Sequence, residues 1–333
     1  MESARVTSEA DTNRIVDIHD LKVHYYLSGN TVGAVDGVSL DVKEDEIVGL
    51  IGESGSGKST LARAIVKLLP PYARIVSGDI LFEGENLVEK DEKEMRKIRG
   101  GKISMIFQNP TSSLNPILTV GEQISEVVKL HQNVRRKSEV RRKVVEILEK
   151  VGVSDAVERL RNYPYEFSVG MRQRVMIAMA ISAKPKLVIA DEPTSALDVS
   201  VQERILELLR QLKKELKLSM ILITHHISVA AEMCDRIAIM YAGKLMEQGD
   251  KATIFAKPRH PYTFALMKAV PFLHRDVDKL YIIKGEAPDL TKPPSGCRFH
   301  PRCEYATETC RSEEFPLSRL EPGHKVACFN PIG

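Results

Sequence analysis

Residues 52–60 read Gly52-Glu53-Ser54-Gly55-Ser56-Gly57-Lys58-Ser59-Thr60, the pattern G-x-x-x-x-G-K-S/T. The preceding run Ile47-Val48-Gly49-Leu50-Ile51 has the composition of a buried strand. The following run Leu61-Ala62-Arg63-Ala64-Ile65-Val66 has helical periodicity. Strand, glycine loop and helix in that order make a P-loop, whose consecutive N–H groups and helix N-terminus hold phosphate oxygens. Lys58 is then placed to reach the β- and γ-phosphates, and the Ser59 hydroxyl to meet Mg²⁺.

A second segment complements the first. Leu187-Val188-Ile189-Ala190 reads as a buried strand with Asp191 and Glu192 at its C-terminal end, the edge at which ligands bind in an open α/β sheet. Phosphoryl transfer needs one group on the metal and one on the attacking water. Asp191 suits the first role and Glu192 the second.

Composition narrows the setting. Of 333 residues, 43% are apolar and 28% charged, ordinary for a globular protein. A net charge of +3 gives no ground for nucleic-acid binding. The basic cluster Arg135-Arg136-Lys137 and Arg141-Arg142-Lys143 is interleaved with Glu139 and Glu146, as on a solvated helix face. No run is long and apolar enough to span a membrane. Met1 to Thr12 is polar and lacks the apolar core of a secretion signal. These features suggest a cytoplasmic protein.

Other segments carry a resemblance. Asp191-Glu192-Pro193-Thr194-Ser195-Ala196-Leu197-Asp198 resembles the Walker B and D-loop of ABC-type ATPases, and Phe167-Ser168-Val169-Gly170-Met171-Arg172-Gln173-Arg174 their signature motif. Gln108 looks like the Q-loop glutamine and His225 like the switch histidine. Asn109-Pro110-Thr111-Ser112-Ser113-Leu114-Asn115-Pro116 and His260-Pro261-Tyr262-Thr263 look like the dipeptide/oligopeptide importer subfamily.

The resemblance implies a division of labour. Gly52, Ser54, Gly55, Ser56, Gly57, Lys58, Ser59 and Thr60 would hold the phosphates of ATP. Ser59, Gln108 and Asp191 would attend Mg²⁺; Glu192, His225, Gln108 and Lys58 would act in catalysis. Ser168, Gly170, Gln173 and Asp198 would serve the ATP bound by a second ATPase subunit facing this one. An aromatic residue stacks on adenine in this family, and Tyr25 is preferred over its neighbour Tyr26, which points to the opposite strand face. Two positions depart from the family pattern. Val169 stands where glycine is usual and lacks access to positive φ. His226 stands where aspartate is usual and is assigned no role.

The implied fold is α/β: a P-loop ABC ATPase with an antiparallel β subdomain, a RecA-like parallel core, a helical subdomain and a small Cys-rich C-terminal extension. The nucleotide-binding domain is expected over residues 15–255, with the helical part at about 110–180 and the extension over 256–333. Arg236 to Lys244 reads as a hairpin strand.

Cys297, Cys303, Cys310 and Cys328 lie together near the C-terminus, spaced C-x5-C-x6-C-x17-C, whereas Cys234 sits apart in an apolar run. Four thiols in a cytosolic protein favour a metal over disulfides. Spacings wider than a C-x2-C knuckle favour an iron–sulfur cluster, with Zn²⁺ as the alternative. Some ATPases of this subfamily carry a 4Fe–4S cluster there, so the resemblance points the same way. Pro293, Pro294, Pro301 and Pro316 mark a loop-rich segment that needs such a staple.

The implied function is ATP-hydrolysing energy coupling for a binding-protein-dependent importer, at the cytoplasmic face of the cell membrane. Its partners would be two transmembrane permease subunits, a second, non-identical ATPase and an extracytoplasmic substrate-binding protein. Peptides are the default cargo, with oligosaccharides as the alternative. A soluble ABC ATPase acting on nucleic acid or ribosomes would carry two ATPase domains or a long coiled-coil insertion, and neither is evident here.

Overall fold

The computed structural model describes residues 13–27, 29–195, 197–269, 281 and 283–333. The reading of Met1 to Thr12 falls outside these residues. In chain order, β1 (Arg14–Leu27), β2 (Asn30–Lys43) and β3 (Ile47–Ile51) lead into α1 (Lys58–Ile65). Then come β4 (Ala73–Phe82), β5 (Glu85–Asn86), α2 (Glu92–Ile98) and β6 (Ile103–Ile106). A helical stretch holds α3 (Pro110–Ser113), α4 (Val120–His131), α5 (Lys137–Lys150), α6 (Ala156–Arg159) and α7 (Val169–Ile181). The chain returns through β7 (Leu187–Asp191), α8 (Val199–Leu216), β8 (Ser219–Thr224), α9 (Ile227–Met233), β9 (Arg236–Tyr241) and β10 (Lys244–Asp250). It ends with α10 (Lys251–Ala256), α11 (Pro261–Lys268), α12 (Glu308–Ser312), β11 (Ser318–Glu321) and β12 (His324–Val326).

Two sheets form. One is antiparallel, in the order β2-β1-β4-β5. The other has the order β11-β12-β10-β9-β3-β8-β7-β6. Its β6, β7, β8, β3 and β9 are parallel, and β10, β12 and β11 add antiparallel strands. The expected parallel core is therefore a mixed sheet. The reversal begins at the β9–β10 turn, where Ala242 (φ 48°) and Gly243 (φ 85°) both take the left-handed backbone that a two-residue hairpin turn requires. Nor is the C-terminal segment an appendage. Its last strands extend the main sheet, and Tyr262 and Phe299 are buried in the core shared with the helices.

Strand alternation divides the interior. Ile47 and Ile51 of β3 face the core shared with α7, α8 and α9, while Val48 and Leu50 face the core beneath the antiparallel sheet. Gly49 lies between them because Cys234 fills the space a side chain would take: a Cβ there would meet its Sγ at 2.6 Å. Cys234 is thus a packed core residue. In the helical stretch, Val140, Val144 and Leu148 of α5 are buried while Arg141 and Arg142 are exposed, the solvated face its charges suggest. Thr119 and Glu122 close a capping box on α4.

One ion-pair cluster ties the sheets together. Arg236 at the start of β9 donates to Asp41 of β2 at 2.9 Å and to Glu46 at 3.2 Å, and all three are largely buried. Burial works to raise the Asp41 carboxyl, but Arg236 outweighs it and holds the group below its ordinary 3.8. A depressed carboxylate contributes stability above its unfolded pKa, and that contribution is lost as pH falls below about 4. Arg236→Met should therefore lower the unfolding free energy in urea at pH 7 by about 3 kcal/mol, because two carboxylates lose their buried partner. Arg142→Met, which breaks only the exposed pair with Glu146, should change it by less than about 0.5 kcal/mol.

Candidate functional site

The loop between β3 and α1 lies where the two sheets meet. A Cβ on Gly52 would stand 2.0 Å from the carbonyl oxygen of Met240 in β9, and one on Gly57 2.1 Å from that of Ala34 in β2. Gly57 also has φ 101° and forms the N-cap of α1. Close approach and left-handed backbone together exclude any side chain there. The backbone amides at the start of α1 are thereby turned toward one side of the loop.

Lys58 lies across this loop. Its Nζ donates to the carbonyls of Gly52 and Glu53, each at 2.8 Å, and to Ser56 Oγ at 3.2 Å. Burial lowers its pKa, against the pull of Glu192, Asp191 and Glu53. Ser59 Oγ donates to Asp191 Oδ1 at 2.9 Å. Burial raises the Asp191 carboxyl, opposed by that hydrogen bond. A hydroxyl and a carboxylate in contact at a phosphate loop form a donor set suited to Mg²⁺.

Three further residues converge from neighbouring strand ends. Gln108 follows β6, Glu192 follows β7 and His225 follows β8, all at the carboxyl edge of adjacent parallel strands. Gln108 Nε2 donates to Glu192 Oε2 at 2.9 Å, and His225 Nδ1 lies 3.1 Å from Glu192 Oε1. Glu192 itself has φ 47°, a left-handed conformation that costs a non-glycine residue about 1–2 kcal/mol. Strain of this kind collects at functional sites.

Around these groups is a cleft of about 410 Å³ whose walls include Tyr25, Ser54, Gly55, Lys58, Ser59, Thr60, Gln108 and Glu192. Tyr25 Oη is 3.1 Å from Thr60 Oγ1, whereas Tyr26 is outside the cleft and 48% exposed. Leu290, from the C-terminal segment, also lines the cleft. Its sequence neighbourhood carries no motif, and only the fold reveals it. His226 packs its ring 4.1 Å from that of His225.

The signature residues stand elsewhere. Ser168 N-caps α7, accepting from the Met171 N–H at 3.3 Å. Val169 is the first residue of that helix, 42% exposed and without positive φ, so the glycine usual there has no conformational task here. A Cβ on Gly170 would meet Val201 of α8 at 2.8 Å. Gln173 is fully buried, its amide nitrogen without a partner among the described residues. Asp198 N-caps α8; its Oδ1 accepts from the Val201 N–H at 3.0 Å and the Ser200 hydroxyl at 2.8 Å, which hold the carboxyl below its ordinary value. None of these side chains lines the cleft.

The four C-terminal cysteines do converge. Cys297, Cys303, Cys310 and Cys328 line one small pocket with His260 and His300. Burial raises the Cys303 thiol to about 11 and the Cys328 thiol to about 12. Among the described residues, however, no group of three or more His, Cys, Asp or Glu side chains is placed to hold a metal ion. All four are free thiols in this arrangement.

Comparison with known proteins gives two family matches: ABC transporter over residues 35–195, and oligopeptide/dipeptide transporter, C-terminal region, over residues 246–310. A probable peptide ABC transporter ATP-binding protein of Sinorhizobium fredii is 45% identical over 98% of this chain and 97% of its own length. The dipeptide transport ATP-binding protein DppD of Escherichia coli is 44% identical over 96% of this chain and 97% of its own. Among solved structures, the ATP-binding cassette MJ0796, a dimer in a post-hydrolysis state bound to ADP and Pi, matches with TM-score 0.64 and 29% identity, over 71% of this chain and 98% of that one.

Gly57 and Gly55 differ enough in their surroundings to be separated by mutation. Gly57→Ala should cost about 3 kcal/mol or more of stability, because a backbone oxygen occupies the Cβ position. Gly55 has φ 77° with nothing within 4 Å of a Cβ, so Gly55→Ala should cost only about 1–2 kcal/mol. Denaturant midpoints of the two variants measure the difference.

Proposed function

The chain belongs to the ABC transporter family, and we propose that it hydrolyses ATP to drive import of dipeptides or oligopeptides, as the energy-coupling subunit of a binding-protein-dependent transporter. One observation carries the reading: Glu192 accepts a hydrogen bond from Gln108 and faces the His225 ring at 3.1 Å, beside the phosphate loop and the Ser59–Asp191 pair. ATP would lie in the cleft with adenine against Tyr25 and its phosphates on the backbone of residues 52–60. Lys58 would leave the carbonyls of Gly52 and Glu53 for the β- and γ-phosphate oxygens. Ser59 and Asp191, with Gln108, would hold Mg²⁺. Glu192 would take the proton of the attacking water, and His225 would hold the Glu192 carboxylate and meet the γ-phosphate.

The division into a nucleotide-binding domain at 15–255 and a C-terminal segment at 256–333 belongs to the same proposal. Ser168, Gly170, Gln173 and Asp198 would act on ATP held by a second, similar subunit; their distance from this chain's own cleft supports that reading. For Gln173 the role would run through the packing of α7, because its side chain is buried. The relatives are transport ATP-binding proteins for peptides and dipeptides. That supports two permease subunits and a substrate-binding protein as partners, and a peripheral position at the cytoplasmic face. Among the described residues no helix is long and apolar enough to cross a membrane. The subfamily favours peptides over oligosaccharides as cargo.

The cysteines fit a 4Fe–4S cluster better than a single ion. Such a cluster takes one thiolate per iron, so its ligands need to surround a pocket rather than meet at a point. Thiols that burial keeps protonated would release their protons to solvent as their thiolate sulfurs took up the irons. His260 is buried on the pocket wall, and among the described residues its Nε2 makes no hydrogen bond of ordinary geometry. Its Nδ1 accepts from the Tyr262 N–H at 3.0 Å, which leaves Nε2 as the N–H donor for a sulfur. The role would be structural.

Two measurements test these assignments. Glu192→Gln should keep Mg·ATP affinity within about threefold while turnover falls at least about a hundredfold; unchanged turnover would remove Glu192 from its role. Protein purified without oxygen should contain close to four irons per chain, and a preparation free of iron would leave the thiols without a cluster.

A further inference from the structure

Glu53, the second residue of the phosphate loop, has each of its polar groups engaged. Its N–H donates to Tyr262 Oη at 3.0 Å. Its carbonyl accepts from Lys58 Nζ at 2.8 Å. Its carboxylate takes both terminal nitrogens of Arg302, at 2.7 and 3.2 Å. Two of these three ties run to the C-terminal segment, about 200 to 250 residues away in sequence.

Arg302 is itself held rigidly. Its Nε donates to the Lys284 carbonyl at 3.0 Å and its Nη1 also to Tyr241 Oη at 3.2 Å. The guanidinium lies over the rings of Tyr241 and Phe299, 5.7 and 5.9 Å from their centroids. Tyr241, Tyr262 and Phe299 pack with centroids 4.6 to 5.3 Å apart. The Arg302 side chain is only 7% exposed. A nearly buried guanidinium carries a desolvation cost that a surface loop does not need for folding, and here it is aimed at a backbone that must keep one shape to receive phosphate. Leu290 of the same segment stands on the cleft wall.

We propose that the C-terminal segment completes the nucleotide site: Arg302 and Tyr262 are positioning residues that fix Glu53, and through it the first half of the phosphate loop and Lys58, in the form that accepts Mg·ATP. The inference rests on the reading of the cleft as an ATP site. Neither residue touches nucleotide. They act by removing other loop conformations, which lowers the ordering cost of binding.

The test is calorimetric titration of the full chain with a non-hydrolysable ATP analogue and Mg²⁺. Arg302→Met and Glu53→Gln should each weaken binding about tenfold, or about 1.4 kcal/mol. The double variant should be no worse than about tenfold, because both changes remove one interaction. Tyr262→Phe, which deletes one oxygen and keeps the ring packing, should weaken binding about threefold, and Arg302→Lys should recover part of the Arg302→Met loss. Tyr25→Ala should add to Arg302→Met independently. Melting temperatures without nucleotide separate this role from general support: affinity should fall in Tyr262→Phe with the melting point unchanged. Wild-type affinity in both Arg302→Met and Tyr262→Phe would overturn the proposal, as would additive losses in the Arg302 and Glu53 pair. If Arg302→Met does not fold, Tyr262→Phe alone decides. A wild-type chain that fails to bind the analogue removes the ATP reading and this inference together, whereas wild-type binding that is lost only in Lys58→Ala removes this inference alone.

Discussion

The structure depends on how closely the phosphate loop is pressed between two strands from different sheets. Gly52 lies against the backbone of Met240 and Gly57 against that of Ala34, with no room for a Cβ at either point. This contact joins the antiparallel sheet to the main sheet and sets the start of α1. Because backbone meets backbone, the position of the amides does not depend on rotamers, and a site built from amides needs that fixity. The parallel strands then supply the rest. Their carboxyl ends bring Gln108, Glu192 and His225 to the same edge, so that residues far apart in the chain become close neighbours.

The electrostatics of the cleft follow from the same arrangement. Lys58 and Asp191 are both largely buried, and burial disfavours the charged form of each. Phosphate and Mg²⁺ would relieve both at once, giving the ammonium an anion and the carboxylate a cation. In the proposed reading, the ligand would complete the charge balance of the cleft. Ser168 and Asp198 spend their side chains on capping helices away from it. A facing subunit in the proposed mechanism explains why a chain with one phosphate loop keeps a signature segment its own cleft does not use.

Much of this was legible in the sequence because local chemistry fixed it. The loop glycines, the strand ending in Asp191 and Glu192, and the apolar runs before Gln108 and His225 each carry their meaning within a few residues. Tyr25 was singled out by the family resemblance, and strand alternation added only that Tyr26 faces the other way. Long-range pairing was not legible. The β9–β10 hairpin could be read locally, but the pairing of β12 with β10 could not, because no periodicity encodes it. Val169 could be seen to depart from the family pattern, but not that it begins a helix where glycine has no special task. Leu290 and Arg302 sit in a loop-rich segment without a motif, and the Arg302 contact with the phosphate loop arises from packing around Tyr241 and Phe299. The cysteine spacing pointed to a metal site; the four cysteines line one small pocket, but among the described residues no group is placed to hold a metal ion, and spacing carries no information about the ligand geometry a metal requires.

The central claim is that ATP turnover in this chain is coupled to peptide import. The measurement that addresses it most directly is ATP hydrolysis by the chain assembled in lipid with its permease partners and substrate-binding protein, challenged with dipeptides, longer peptides and oligosaccharides. The account predicts stimulation by peptides and none by sugars. Equal turnover with and without peptide, in a complex whose basal hydrolysis is intact, would contradict it.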